Sequence, residues 1–203
     1  MHPGGLYRVT DEAPLLEWLR RHAFVTLCAA PAGRPLVAHA PVVVGGAGED
    51  LTLDFHLARG NAIAPYLADG FQALAVGLGP DAYVSPDWYE SVDQVPTWNY
   101  LTVEAEGRVE ALDESELVRQ LDELSAQEEA RLAPKPAWTR HKMSPGRFGG
   151  MLRGIIGARM VVERLEGTFK LSQNKTETDR QGVMAALGDH PVAALMRAAI
   201  PPP

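Results

Sequence analysis

Six short strand-like segments, separated by turn residues, constrain the fold of this chain more than any other feature. The clearest, Leu51–His56, alternates apolar with polar side chains, which is the period of a strand with one buried face. Glycine- and proline-containing turns at 31–33 and 45–48 join neighbouring segments into hairpins. The six segments cover residues 24–30, 36–44, 51–56, 71–78, 97–112 and 158–171. They predict an antiparallel sheet, and closure into a small barrel would remove its exposed edges. Gly107 predicts a break or bulge in the fifth segment.

Helical patterns lie between and after these strands. Residues 113–132 give the clearest one, because Asp113 and Glu116 have the spacing of a capping box and leucines follow at helical intervals. Other helices are predicted at 10–22, 61–67, from Ser144-Pro145, at 176–187 and from Pro191. The whole pattern predicts a mainly β fold of the α+β type, with six antiparallel strands and peripheral helices. We assign residues 1–190 to one domain and 191–203 to a short C-terminal extension.

Composition narrows the class of protein. Of the 203 residues, 46% are hydrophobic and 22% are charged, as in globular proteins that bury a sizeable core. The chain has no apolar run of the length that a membrane span needs and no secretory leader pattern. Its single cysteine, Cys28, excludes an internal disulfide and lies in a buried-strand pattern. We therefore predict a cytoplasmic protein without a membrane partner.

The charge is unevenly distributed along the chain. Residues 1–130 carry 7 Lys/Arg against 21 Asp/Glu, whereas residues 131–180 carry 11 Lys/Arg against 4 Asp/Glu. This asymmetry fits a nucleic-acid surface, an anion site or mutual attraction between the two parts of the chain. The basic residues are spread among glycines and apolar residues, which favours the last two interpretations.

An aromatic segment, Gly79–Tyr100, holds two of the four tryptophans, three of the five tyrosines and three prolines. Rigid rings with polar edges can form a shaped apolar surface for a planar ligand or a partner chain. A proline-rich connection pinned to the core by its aromatic residues would explain the same composition. Both interpretations stay open at this point.

Two further segments carry residues suited to binding an anion. In His56-Leu-Ala-Arg59-Gly60-Asn61, a strand ends and a predicted helix begins, so a guanidinium and free backbone N–H groups could hold phosphate. An ordinary connection with a solvated arginine is the alternative. In the second segment, strand periodicity places Lys170, Ser172 and Asn174 on one face, although turn chemistry also explains 172–175.

Several other kinds of site have no support in the sequence. His39 and His56 lack further partners at metal-ligand spacing, so we predict no metal site. The chain contains no phosphate-binding P-loop, no dinucleotide-binding glycine motif between a strand and a helix, and no nucleophile elbow of hydrolases. Catalytic residues therefore stay unassigned.

Four motifs together resemble a known family. PDAYVSPDWYE, VPTWNY, LEGTFKLSQNK and HLARGN are similar to segments of the PaiB-like family, whose members are described as FMN-binding negative transcriptional regulators. The resemblance runs from about Tyr7 to Leu187 and implies a split β-barrel of the flavin-reductase and pyridoxamine-phosphate-oxidase type. Proteins of that type are usually homodimers with FMN at the subunit interface.

The resemblance also implies roles for individual residues. Arg59 and Asn61 would hold the FMN phosphate, and the candidates for contacts with the flavin ring and ribityl chain are His56, Trp98, Asn99, Lys170 and Gln173. The aromatic segment would shape the pocket or the dimer interface. Our leading hypothesis is a dimeric FMN-binding protein of the regulator type. The alternatives are a flavin-dependent oxidoreductase that uses NAD(P)H and a repressor that contacts DNA through the basic segment 140–164.

Overall fold

The computed structural model describes residues 4–198, and their strands form one predominantly antiparallel sheet. The strands are β1 Arg8–Val9, β2 Phe24–Ala29, β3 Leu36–Pro41, β4 Val43–Gly45, β5 Thr52–Ala58, β6 Phe71–Val84, β7 Thr97–Ala111 and β8 Ile155–Lys170. Their order in the sheet is β3-β2-β6-β7-β8-β5-β4, and β1 pairs with β8. The mainly antiparallel β architecture with helices is therefore confirmed.

The predicted number of six strands is wrong. Seven strands lie along the sheet order, and the two-residue β1 is an eighth. The segment predicted at 36–44 divides at Val42, whose N–H donates to the Ala23 carbonyl at 2.8 Å, outside the strand ladder. Pro41, just before it, has no N–H to donate. β1 was not predicted; Arg8 pairs with Thr168 and Val9 with Gly167.

Five α-helices accompany the sheet within the described residues. They are α1 Glu12–Arg21, α2 Glu114–Ala130, α3 Arg147–Leu152, α4 Glu177–Leu187 and α5 Pro191–Ala198. The capping box at the start of α2 is confirmed, since the Asp113 side chain accepts from the Glu116 N–H and the Glu116 side chain accepts from the Asp113 N–H. None of the helices among residues 4–198 is long and apolar enough to cross a membrane.

Two predicted helices differ from those observed. The short helix predicted at 61–67 is a 3-10 helix that begins three residues later, Ala64–Ala68. The helix predicted to open with Ser144-Pro145 begins at Arg147, because Gly146 adopts a left-handed φ of 77° immediately before it.

The break predicted at Gly107 is wrong, whereas the alternative of a bulge there stays a prediction. β7 runs without interruption from Thr97 to Ala111. A Cβ atom at Gly107 would lie 1.9 Å from the carbonyl oxygen of Val161, so the glycine permits a close approach to the backbone of β8.

The described residues form two compact units. The first unit comprises 4–11, 78–103 and 166–198, and the second comprises 12–77 and 104–165. In the first unit, the core contains Ala82, Val84, Tyr89, Leu171, Val183, Val192 and Met196. Val192 and Met196 belong to α5, so this helix contributes to that core. The predicted boundary at residue 190 stays a prediction, and residues 199–203 of the predicted extension lie outside the described part of the chain.

Candidate functional site

A cavity of about 300 Å³ lies beside Arg59 in the second unit. Arg59 follows β5, and Arg153 follows α3. The cavity lining combines these two arginines with apolar and acidic residues: Leu112, Asp113, Glu114, Leu117, Gly149, Leu152, Ile156 and Gly157. We call it the arginine cavity.

The two guanidinium groups are held in place by backbone carbonyls. Arg59 Nε donates to the Arg153 carbonyl at 3.0 Å, and Arg153 Nη1 donates to the Gly149 carbonyl at 3.1 Å. The terminal nitrogens of Arg59 form no hydrogen bond within residues 4–198, so they remain available to a ligand. An exposed cation of this kind suits the bidentate binding of a phosphate group.

The lining of the arginine cavity also contains two acids, Asp113 and Glu114. The Asp113 carboxylate accepts hydrogen bonds from the Glu116 N–H at 2.8 Å and from the Ser115 hydroxyl at 2.7 Å. These hydrogen bonds lower the pKa of Asp113 from its usual value. The Asp113 carboxylate therefore serves as the cap of α2, and the terminal nitrogens of Arg59, which form no hydrogen bond within residues 4–198, remain the groups of the lining best suited to an anion.

His56 lies in β5 and binds α2. Its Nδ1 is 3.1 Å from Oε1 of Gln120, a side chain with no exposed surface. Burial lowers the pKa of His56, and the hydrogen bond that its ring donates to Gln120 opposes this effect only in part. The imidazole is therefore neutral at pH 7. Nε2 of Gln120 is buried and has no hydrogen-bond partner among residues 4–198.

Asn61 shapes a turn rather than the start of an α-helix. Its side-chain oxygen accepts from the Ile63 N–H at 2.9 Å, and its own N–H donates to the Ala58 carbonyl at 2.9 Å. The N–H groups of Asn61 and Ile63 are therefore used within the turn. The assignment of Asn61 to the phosphate site stays a prediction.

An ion-pair network around Asp54 was not predicted from the sequence. The carboxylate of Asp54, which is almost fully buried, accepts from Arg159 at 2.7 and 2.8 Å and from Arg119 at 2.8 Å. Arg159 also donates to Glu116 at 3.1 Å. The hydrogen bonds to Asp54 raise the pKa of both arginines. The network ties β5 and β8 to the first turns of α2, and α2 begins at the arginine cavity.

In the first unit, the side chain of Asn99 is bonded within the protein interior. It is fully buried, and its Nδ2 donates to the Ser172 hydroxyl at 2.8 Å and contacts the sulfur of Met196 at 3.4 Å. Ser172 has a φ of 61°, a conformation that non-glycine residues rarely adopt. The buried hydrogen bond to Asn99 thus stabilises a strained turn at the end of β8.

The side chains of Lys170 and Gln173 differ in how free they are to contact a ligand. Both ends of the Gln173 amide bind local backbone: Oε1 accepts from the Leu171 N–H at 2.7 Å, and Nε2 donates to the Phe169 carbonyl. Lys170 contacts the Thr97 hydroxyl, and burial together with the charge of Lys175 lowers the pKa of its ammonium group. Lys170 is therefore the better candidate for contact with a ligand.

The aromatic segment is partly strand and partly an anchored loop. β6 extends to Val84 and β7 begins at Thr97, so the loop spans only 85–96. The Asp179 carboxylate accepts from the Glu90 N–H at 2.9 Å, the Ser91 N–H at 3.0 Å and the Ser91 hydroxyl at 2.6 Å. These hydrogen bonds lower the pKa of Asp179. The anchored segment still exposes large apolar side chains: Tyr83, Val92, Val95 and Trp98.

The seven predicted site residues fall into both units. His56, Arg59 and Asn61 belong to the second unit, where only Arg59 lines the arginine cavity. The first unit contains Trp98, Asn99, Lys170 and Gln173. Sequence reasoning missed Arg153 as a cavity residue. The only available signal was its position in the basic part of the chain, where no spacing linked it to Arg59.

A metal site finds no support in the geometry. Within residues 4–198, no group of three or more His, Cys, Asp or Glu side chains is arranged to hold a metal ion.

Comparison with known proteins gives consistent matches. Residues 1–164 match the protein family described as "Putative FMN-binding domain". The "Protease synthase and sporulation protein PAI 2" of Bacillus subtilis (strain 168) is 30% identical over 181 residues, covering 89% of this chain and 86% of that protein.

Two solved structures are similar in fold. A conserved hypothetical protein of Mycobacterium tuberculosis matches with a TM-score of 0.58 and 15% identity, over 84% of this chain and 92% of that one. The FAD and heme binding protein of Mycobacterium smegmatis matches with a TM-score of 0.54 and 17% identity, over 81% of this chain and 73% of that one. At these identities the likeness concerns the fold alone.

Proposed function

The chain belongs to the PaiB-like family of FMN-binding-domain proteins, and on this premise we propose that it binds FMN at a homodimer interface and acts as a regulator of the PaiB type. FMN supplies one- and two-electron redox chemistry when it is bound, and a protein of this kind contributes binding, orientation and electrostatics.

The presence of Arg59 and Arg153 in one cavity carries the FMN proposal. Two cations around one space of about 300 Å³ suit the phosphate end of the cofactor better than its apolar ring. In this proposal the free terminal nitrogens of Arg59 donate to phosphate oxygens. Trp98 and Lys170 are the further candidates for contact with the flavin. Trp98 is exposed, and the Lys170 ammonium group binds a side-chain hydroxyl rather than the local backbone.

The Arg59→Ala substitution tests the phosphate contact. We expect the affinity for FMN to fall about tenfold or more, because charge-assisted hydrogen bonds contribute about 1.5–3 kcal/mol each. Riboflavin, which lacks the phosphate, should bind the wild type and the variant equally. The measurement is quenching of flavin fluorescence during titration with each protein.

The matched control is Arg34→Ala, which removes another exposed arginine of the second unit that does not line the arginine cavity. It should leave both affinities unchanged. An Arg59→Ala protein that keeps the wild-type preference for FMN over riboflavin would refute the phosphate role. Failure of the wild type to bind FMN would refute the function itself.

The homodimer proposal is supported by exposed apolar side chains in the first unit. Trp98 is 53% exposed, Val92 81% and Val95 70%, although Asp179 anchors their segment. Apolar side chains displayed on an anchored segment are typical of an interaction surface. We assign this surface to the partner copy.

The Trp98→Glu substitution tests the dimer. Sedimentation velocity should show a dimer for the wild type and a shift towards monomer for the variant, because a carboxylate would be buried without a partner. Leu132→Glu, which changes a similarly exposed apolar residue two positions beyond α2, should leave the dimer intact. A wild type that sediments as a monomer both with and without FMN would exclude the proposed interface.

Direct contact with DNA through 140–164 is the less favoured alternative. Arg140 binds Asp122, Arg159 binds Asp54 and Arg164 binds Glu106. Cations already paired with carboxylates contribute less to the neutralisation of DNA phosphates.

The oxidoreductase alternative would be favoured by sustained oxidation of NADH or NADPH by the FMN-loaded protein.

A further inference from the structure

A second cavity, which we call the tryptophan crevice, lies between α2 and the segment that follows it. Its volume is about 300 Å³, and its lining comes from α2 between Asp122 and Ala130 and from residues 137–141. The crevice shares no lining residue with the arginine cavity. Along α2, Asp122 is five residues beyond Leu117 of the arginine cavity, which corresponds to roughly 8 Å of helix.

Polar contacts hold the two sides of the crevice together. Arg140 Nε donates to both carboxylate oxygens of Asp122, at 2.9 and 3.1 Å. The Glu129 carboxylate accepts from the Trp138 N–H at 2.8 Å and also binds Lys135. Because α2 is tied to the following segment on both sides, the crevice is a preformed feature of the second unit.

The lining of the crevice includes small apolar side chains and one aromatic ring. Ala126, Ala130 and Ala137 leave room because their side chains are small, and Trp138 supplies an aromatic face. The indole of Trp138 is 41% exposed. Aromatic rings pack favourably in offset or edge-to-face contact with such a ring.

The polar groups of the crevice have spare hydrogen-bond donors. Within residues 4–198, the side chains of Ser125, Thr139 and His141 form no hydrogen bond. Two hydroxyls and an imidazole N–H can donate to one acceptor group. Lys142, the next residue, donates to the Ala137 carbonyl at 2.7 Å, and its charge acts on the Glu129 carboxylate, which also binds Lys135.

The charge balance then selects the ligand. Asp122 and Arg140 neutralise each other, whereas the Glu129 carboxylate faces two lysines, Lys135 and Lys142, which leaves one positive charge in excess. Several spare donors and one positive charge in excess favour a carboxylate over an amine or a neutral amide. We propose that the tryptophan crevice binds a small aromatic carboxylate of about the size of benzoate. Its ring packs against Trp138 and the alanines, and its carboxylate accepts from Ser125, Thr139 and His141.

Fluorine NMR with 4-fluorobenzoate tests this proposal on the full chain. The fluorine resonance should broaden and shift in the presence of the protein, and 4-fluorobenzamide should bind about tenfold more weakly, because it lacks the charge. Equal effects of the acid and the amide, or no effect at millimolar ligand, would overturn the proposal.

Two variants locate the binding. Ala126→Leu should fill the crevice and abolish the effect; both residues are strong helix formers, and position 126 is exposed. His141→Ala should weaken the binding of 4-fluorobenzoate several-fold. Arg59→Ala serves as the control and should leave this binding unchanged. An unaltered signal with Ala126→Leu, or a signal lost with Arg59→Ala, would place the ligand elsewhere and refute the assignment.

Discussion

Replacing Gly107 with alanine should destabilise the protein by about 3 kcal/mol or more, which exceeds the usual cost of overpacking. The added Cβ would lie 1.9 Å from the Val161 carbonyl oxygen, 2.9 Å from the Val161 carbonyl carbon and 3.1 Å from the Val162 Cα. All three atoms belong to backbone, so no side chain can rotate to make room. The measurement is urea unfolding followed by circular dichroism.

Gly150→Ala is the matched control. Its added Cβ would find no neighbouring atom closer than Arg153 Nη2 at 3.9 Å, and Gly150 lies in α3. Because alanine is the better helix former, this variant should be as stable as the wild type or more stable. Similar small effects at the two positions would show that β7 and β8 are further apart at Gly107 than the structure indicates.

Gly107 also illustrates why part of the fold escaped sequence reasoning. A glycine inside a strand pattern fits either a bulge or a close backbone approach, and only the neighbouring strand decides between them. The division at Val42 has a similar origin, since its N–H binds Ala23, which precedes β2. Local periodicity predicted the positions of the main strands and the capping box of α2, because both depend on neighbouring residues.

The candidate site could likewise be predicted only where it depends on neighbouring residues. The segment around Arg59 was recognised from its residue types and from the family resemblance, whereas Arg153 is 94 positions further along the chain. The aromatic segment was recognised from its composition, but its anchor, Asp179, is 88 and 89 positions from the residues that it binds. Contacts over such separations depend on the sheet order, and no spacing rule encodes that order.

Breaking the ion-pair network around Asp54 should have the second large effect on the stability of the protein. Asp54→Asn should reduce the free energy of unfolding by about 3 kcal/mol, at the lower end of the cost of breaking a buried pair, since both arginines are partly exposed. An amide in this position carries no charge and presents N–H groups towards two guanidiniums. Arg159 would keep only Glu116 as an acidic partner.

Glu123→Gln is the control for the Asp54 substitution, because Glu123 binds the same Arg119 at 2.9 Å in an exposed pair one helical turn away. Exposed pairs of this kind contribute about 0.3–0.5 kcal/mol, so its unfolding curve should nearly match that of the wild type. Because the network secures the start of α2 beside the arginine cavity, Asp54→Asn should also weaken FMN binding while the protein is still folded. Loss of stability without loss of FMN affinity would separate the two roles, and equal stabilities of the two variants would contradict the buried network.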